Sequence, residues 1–278
     1  MIKIIDTDAY FAKFAPEYIK THMKGLSPKQ IEERIDELYK AFGEEKLEEF
    51  GGKSIKDYYM SFNADELVNA LKEHLKKDVE PSSYLCEAIA AKQGGEEELV
   101  KMLSDGDDEA VLYAMNLLND KNYTGALNTY LNFILSDYTE AVTELATEIL
   151  SKNADKVSAA VLEALPEAPE DKKANLAEIL SFAENADKIY EALVAEFLSH
   201  PGEIPFYSNL LSRYGDDRAI EVLTEKIESP KINYGDFQEL RCAIEALDGE
   251  YNKKRDFTSD KVYQAVQKEK EERAKRFE

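Results

Sequence analysis

The sequence predicts an all-α protein of about six helix pairs, preceded by a helical segment and followed by a charged helix. Three observations predict it. Asn153-Ala-Asp-Lys-Val157 returns as Asn185-Ala-Asp-Lys-Ile189, 32 residues further on. Val142, Leu145, Ala146 and Ile149, and again Leu176, Ile179, Leu180 and Ala183, keep offsets that gather them on one helical face. Pro81, Pro166, Pro169, Pro201, Pro205 and Pro230 fall between these patterns, where a residue without an N–H interrupts least. No strand-like alternation competes.

In chain order, residues 1–64 do not follow the period. Tyr10, Phe11, Phe14 and Tyr18 mark an aromatic helix. Ile31, Ile35, Leu38 and Phe42 mark a second, beginning at Ser27-Pro28, and Gly51-Gly52 breaks the chain before Tyr58-Tyr59-Met60. An array of stacked repeats leaves its first apolar face open, so this segment is expected to cover it. Residues 65–250 form the repeat body. Its first helices are expected near 65–77, 97–104, 124–136, 154–165, 186–199 and 217–229. The second helices are expected near 82–93, 108–119, 139–152, 170–184, 205–214 and 236–248. Leu67-Val68 against Leu99-Val100 repeats the spacing of 32, and Asp107-Asp108 and Asp216-Asp217 stand where helix N-caps belong. In the tail, 251–278, one helix is expected from Thr258 onward, capped by Ser259 or Asp260. Val262, Tyr263 and Val266 would pack its first half. Glu269–Arg273, Glu271–Lys275 and Glu272–Arg276 would support the rest in water.

The period, the helix pairing and the prolines between helices resemble the HEAT-like branch of the α-solenoids, over about two thirds of the chain. That resemblance implies a right-handed α-α superhelix, with the second helix of each pair lining the concave face. It also implies an interaction role without naming a partner. Two departures stand out. The Asp and Arg ladder of well-formed HEAT units is absent except for Asp217-Arg218, and the first helix at 97–104 is short.

Charge narrows the functional classes. Of the net charge of −22, the body holds 39 of the 57 acidic side chains against 16 of the 35 basic ones, whereas the tail is net basic. Such a body repels phosphate backbones, so neither nucleic acid nor an anionic membrane surface is an expected partner, and a DNA-repair-type HEAT-like enzyme is disfavoured. No apolar run approaches the ~18 to 20 residues that span a bilayer. Met1-Ile-Lys-Ile-Ile5 lacks the pattern of a secretion signal, so the expected compartment is the cytoplasm. Cys86 and Cys242 fall in the first and last clear repeats, too many helix layers apart for a disulfide, and Cys86 reads as core.

Motifs for chemistry fail one by one. His22, His74 and His200 share no ligand spacing; His74 reads as exposed, and His200 as a cation at a helix C-terminus. Asp105-Gly-Asp-Asp-Glu109 would put Ala110 and Asn116 where a calcium loop needs Gly and Glu. Gly51-Gly52-Lys53-Ser54 lacks the upstream glycine of a phosphate loop, because position 47 is Leu47. No pattern asks for a cofactor or a metal.

What remains is the polar side of the second helices. Tyr113, Asn116, Glu144, Thr147, Glu178, Ser181, Ser208, Ser212, Gln238 and Glu245 are the candidate binding residues. The expected function is a non-enzymatic scaffold whose acidic concave surface takes a basic protein or peptide. The alternative is an enzyme or small-molecule-binding protein with its site between the N-terminal segment and the body. Tyr10, Tyr18, Tyr58 and Tyr59 would lie around it, and a deep pocket holding His22 or His74 would favour it. Oligomeric state stays open.

Overall fold

The computed structural model describes residues 2–104 and 107–276, without the side chains of Glu49 and residues 274–276. Its described residues are overwhelmingly helical, and they divide into two compact units, Met1–Ala126 and Leu127–Glu278.

In the first unit, α1 (Thr7–His22) packs on α3 (Ile35–Glu44), and α3 packs on α4 (Ile55–Met60). The helices α5 (Ala64–Lys76), α6 (Ser83–Ala91), α7 (Gly95–Met102) and α8 (Asp108–Asp120) follow. They build on one another in order, with α4 against α6 and α5 against α6, α7 and α8. Residues 1–64 are therefore packed onto the first helix pair through α4. Phe42 is the hub of this segment: the rings of Phe11, Phe14 and Tyr84 lie 5.2, 5.3 and 6.2 Å from its own.

Two details differ from the sequence reading. The helix expected through Ile31 and Phe42 is broken: α2 (Pro28–Glu32) ends, and Arg34 leaves the helical region at φ −115° and ψ 19° before α3 begins. Ser27 and Gln30 form a capping box at the start of α2, as the Ser-Pro signal implied. The break turns Leu38 and Phe42 inward and leaves Ile35 40% exposed. The second difference is a short ladder. Lys46–Leu47 (β1) pairs antiparallel with Lys53–Ser54 (β2), closed by Gly51 and Gly52 at φ 67° and 75°. Both φ values lie where a Cβ is strained, which explains the glycine pair. The Ser54 hydroxyl then accepts the Asp57 N–H at 3.1 Å and caps α4, so the Gly-Lys-Ser echo is a hairpin and a helix start.

Unit two holds α9 (Leu127–Leu135), α10 (Glu140–Ser151), α11 (Ala154–Ala164), α12 (Glu170–Leu180), α13 (Asp187–Ser199), α14 (Ile204–Tyr214), α15 (Ala219–Ile227), α16 (Tyr234–Ala246) and α17 (Lys261–Arg276). Its packing follows the pairing in the sequence. Helices α11 and α12, α13 and α14, and α15 and α16 pair. The second helices α10, α12, α14 and α16 pack each on the next. Their buried faces carry Val142, Ala146 and Ile149, then Leu176, Ile179 and Leu180, as the helical offsets predict.

The recurrent motif has a structural use. Asp155 accepts the backbone N–H of Glu184 at 2.6 Å, and Asp187, its counterpart, accepts Arg218 Nη1 at 2.9 Å. Asp155 ties the start of α11 to the loop between α12 and α13, and Asp187 ties α13 to the start of α15. Asp216 does not cap α15 with its side chain. It is buried and accepts the Arg218 backbone N–H, Nε and Nη2 at 3.0, 2.9 and 2.7 Å. Arg218 therefore joins Asp187 to Asp216, with its guanidinium 4.2 Å from the centroid of the Tyr190 ring. Asp107 does act as a cap, accepting the Glu109 N–H at 3.1 Å. Asp105 and Gly106, the start of the calcium-like run, lie outside the described residues.

At the end of the chain, Asp260 accepts the Tyr263 N–H at 3.0 Å and starts α17, which packs on α16. Tyr263 lies edge-on to Tyr234 at 5.0 Å, and buried Phe257 meets Phe237 at 5.0 Å. Val262, expected to pack, is exposed. Glu269 pairs with Arg273 at 2.6 Å. The expected pairs at Lys275 and Arg276 fall on side chains outside those described.

Candidate functional site

The ten candidate residues separate by unit and by burial. Tyr113 and Asn116 belong to the first unit. The Tyr113 hydroxyl donates to Glu80 at 2.6 Å; burial and then this carboxylate raise its pKa. Asn116 is exposed and donates to the Leu112 carbonyl at 3.0 Å.

In the second unit, three candidates expected at the surface are buried: Thr147, Ser181 and Ser208. Each hydroxyl folds back on its own helix, donating to Thr143, Glu178 and Pro205 carbonyls at 2.8, 2.7 and 3.3 Å. A helical Ser or Thr satisfied in this way can sit inside, so a polar residue type did not imply a polar face. Ser212 is half-buried and donates to Asn209 at 2.9 Å, Gln238 is half-buried, and exposed Glu245 is held by Arg241 at 2.8 Å.

Glu144, Thr147 and Glu178 do come together. They line an open groove of about 400 Å³ between α10 and the end of α12, with Glu148, Ser151, Lys152, Asn175 and Phe182. Asn175 Nδ2 donates to Thr147 Oγ1 at 3.2 Å and fixes the amide at the wall. Among the described residues Glu144 has no ion-pair partner, while Glu148 is paired with Lys152 at 2.6 Å. Phe182 is 49% exposed, unusual for a phenyl ring and the main apolar surface of the groove.

The sequence reading missed Arg213. Its guanidinium carbon lies 4.5 Å from the centroid of the Phe182 ring. Nη1 reaches Ser181 Oγ at 3.3 Å and Glu178 Oε1 at 3.5 Å, and Nη2 donates to Asn209 at 3.1 Å. The buried faces of α12 and α14 register 31 residues apart, Leu176 on Tyr207 and Leu180 on Leu211, so Arg213 follows Phe182 in the next helix pair.

A second polar cluster joins α12, α13 and α14. His200 Nε2 lies 2.8 Å from Glu170 Oε1, Nδ1 lies 2.8 Å from the Glu196 carbonyl, and the ring stacks on Tyr207 at 4.6 Å. Burial opposes charge on the imidazole. The bonds to the Glu196 carbonyl and Glu170, with both carboxylates nearby, outweigh it and raise the pKa above 6.5. Burial also raises the Glu196 carboxyl, whose Oε2 is buried without a hydrogen-bond partner among the described residues. His200 does close a helix C-terminus, as expected.

His74 is the contrary case. Expected at the surface, it is 0% exposed. Its neighbours Lys72, Glu73, Lys76 and Lys77 are charged, and those charges masked an inward-facing position one turn from Leu71. Nδ1 lies 3.2 Å from the Val79 carbonyl, Nε2 has no hydrogen-bond partner among the described residues, and burial lowers the pKa below 6.5. Cys86 is half-buried with its thiol pushed up to about 11 by burial, and Cys242 is exposed; both are free.

The first unit also holds an open groove of about 1120 Å³ between residues 2–5 and α5. Charged side chains line most of it, Lys72, Glu73 and Lys76 among them, and neither histidine nor any of the four tyrosines of the alternative reading does. Among the described residues no three His, Cys, Asp or Glu side chains gather as metal ligands, and no helix is long and apolar enough to cross a membrane. In comparisons with known proteins, no family model, no curated protein and no solved structure matches the chain.

Proposed function

We propose that the chain is a protein-interaction module whose groove between α10 and α12 takes a basic peptide segment of a partner protein. One observation carries this reading: Glu144 and Glu178 share a groove with an exposed Phe182 ring. Carboxylates at a rim attract and orient a cation, while a half-exposed ring offers apolar area that gains by being covered. The net charge of −22 adds a long-range field that speeds encounter with basic partners and weakens as salt shortens its reach to about 8 to 10 Å. The helix-pair packing inside each unit supports reading the pairs as HEAT-like repeats, with the right-handed winding such repeats adopt. Buried Thr147, Ser181 and Ser208 reduce the broad polar face of the sequence reading to this groove.

The test is association of a labelled tetralysine peptide, followed by fluorescence anisotropy at low and moderate salt. Charge reversal at Glu144 and Glu148, both exposed, should weaken binding at low salt and flatten its salt dependence. Unchanged binding in the doubly reversed protein removes the groove from this role.

A further inference from the structure

We propose that the pocket where the C-terminal segment crosses α16 is a second binding site, one that takes a small phosphate monoester. It shares no residue with the groove between α10 and α12 and does not depend on the peptide-binding reading.

The pocket is built on one stripe of a helix. Tyr234, Phe237, Gln238 and Arg241 stand at offsets of 0, 3, 4 and 7 on α16, so they share a face. The chain returns across that stripe as Lys253-Lys-Arg-Asp-Phe257. Arg255 fixes it there: Nη1 and Nη2 donate to the Ser229 and Ile227 carbonyls, and the guanidinium carbon lies 5.7 and 5.9 Å from the Phe237 and Phe257 ring centroids. Tyr263, in the first turn of α17, closes the end, edge-on to Tyr234. An open pocket of about 270 Å³ lies between these parts.

Its charge runs against that of the chain. Arg241, Lys253, Lys254 and Arg255 line it against a single carboxylate, Asp256, on a molecule of net charge −22. Three of these cations are engaged already: Arg241 by Glu245 at 2.8 Å, Lys253 by Glu228 at 2.6 Å, and Arg255 by its two carbonyls. Asp256 accepts the Thr258 N–H at 2.9 Å. Lys254 is the exception, with neither an ion pair nor a side-chain hydrogen bond among the described residues. The Gln238 amide and the Tyr234 and Tyr263 hydroxyls are uncommitted in the same sense. An ammonium, a primary amide and two phenols offer donors, and their complement is an anion with several acceptor oxygens. A phosphate monoester brings three terminal oxygens and close to two charges at neutral pH, where a carboxylate brings two oxygens and one charge. Tyr234 and Tyr263, both half-buried, give its organic group a wall to cover. The acidic body does not forbid such a ligand. A nucleic-acid backbone would run along that body, whereas a single phosphate feels charge only within about 8 to 10 Å.

Phenyl phosphate, inorganic phosphate and benzoate, each titrated into the isotopically labelled full chain at fixed ionic strength and followed by amide NMR, test the site. Phenyl phosphate should give saturable shifts confined to 234–241, 253–258 and the first turn of α17. Benzoate, with less charge and one oxygen fewer, should bind at least about fivefold more weakly. Inorganic phosphate should also bind more weakly, because it leaves the rings uncovered. Lys254→Gln should weaken phenyl phosphate about tenfold, the loss of one hydrogen bond to a charged group, and Lys254→Arg should keep most of the binding. Lys254 is exposed, so both variants should melt like the native protein. Shifts scattered over the chain, shifts that never saturate, or an affinity indifferent to Lys254→Gln overturn the site. Benzoate bound as tightly as phenyl phosphate overturns phosphate as the ligand class, and inorganic phosphate bound as tightly overturns the monoester.

Discussion

Arg218 shows how one side chain can hold two helix pairs. It saturates Asp216, a buried carboxylate, and reaches Asp187 on the preceding pair at 2.9 Å. The Arg218 hydrogen bonds hold the Asp216 carboxyl below its usual value. Removing the cation strands a buried charge, which costs more than breaking an exposed pair. Arg218→Ala should therefore lower the melting temperature clearly more than Arg241→Ala, which breaks only the exposed pair with Glu245. Equal shifts in a thermal melt would show that the Asp187–Arg218–Asp216 link carries no special weight. At this scale the sequence was partly legible. Glu144 and Glu178 were readable as groove residues because their helix offsets place them away from the core. Ser208 and Thr147 were not, because a hydroxyl bonded to its own helix hides its polarity. Nor was Arg213, because its partners Phe182 and Glu178 lie in the preceding helix pair, where no spacing in the sequence singles them out.

Among the elements, the tail offers the sharpest prediction. Phe257 is buried against Phe237 and Tyr234, and Arg255 adds hydrogen bonds to the Ser229 and Ile227 carbonyls at 2.8 and 2.9 Å. Truncation after Asp256 removes Phe257 and all of α17 and should lower the melting temperature by several degrees. Truncation after Lys268 removes residues 269–278, whose described side chains, 269–273, are exposed and charged, and should leave it nearly unchanged. Phe257→Ala alone should cost about 3 kcal/mol in denaturant unfolding. If both truncations melt like the full chain, the docking of α17 contributes nothing. The twelve helices of the body were readable to within a few residues, because apolar offsets and prolines agree on them. The N-terminal segment was harder. One run of apolar positions at helical spacing, Ile31 to Phe42, spans a break at Arg34 that no proline or glycine marks. The β1–β2 ladder, two residues a side, is too short for any alternation to register.

For the whole molecule, the division at Ala126 and Leu127 gives each unit one strongly placed histidine, and the two lean in opposite directions. His74 is favoured neutral in the first unit, so its contribution is intact above pH 6.5 and is lost as pH falls below that value. His200 is favoured charged in the second unit, so its contribution is full below pH 6.5 and is lost as pH rises through its higher folded value. Glu196, raised by burial, has the same sign as His200 from pH 4.5 upward. The paired carboxylates Glu170, Asp216 and Glu228 titrate below this range. Mild acid should therefore weaken the half that holds the groove beside α5 and strengthen the half that holds the groove between α10 and α12. Amide hydrogen exchange, corrected for its intrinsic pH dependence, should show residues of α5 and α6 opening more readily at pH 5.5 than at 7.5. Residues of α12 to α14 should open less readily. His74→Leu should abolish the first response and His200→Gln the second. With opposite signs in its two halves, the acid response should move their relative resistance to opening, so that a drop in pH brings forward the release of one half and delays that of the other.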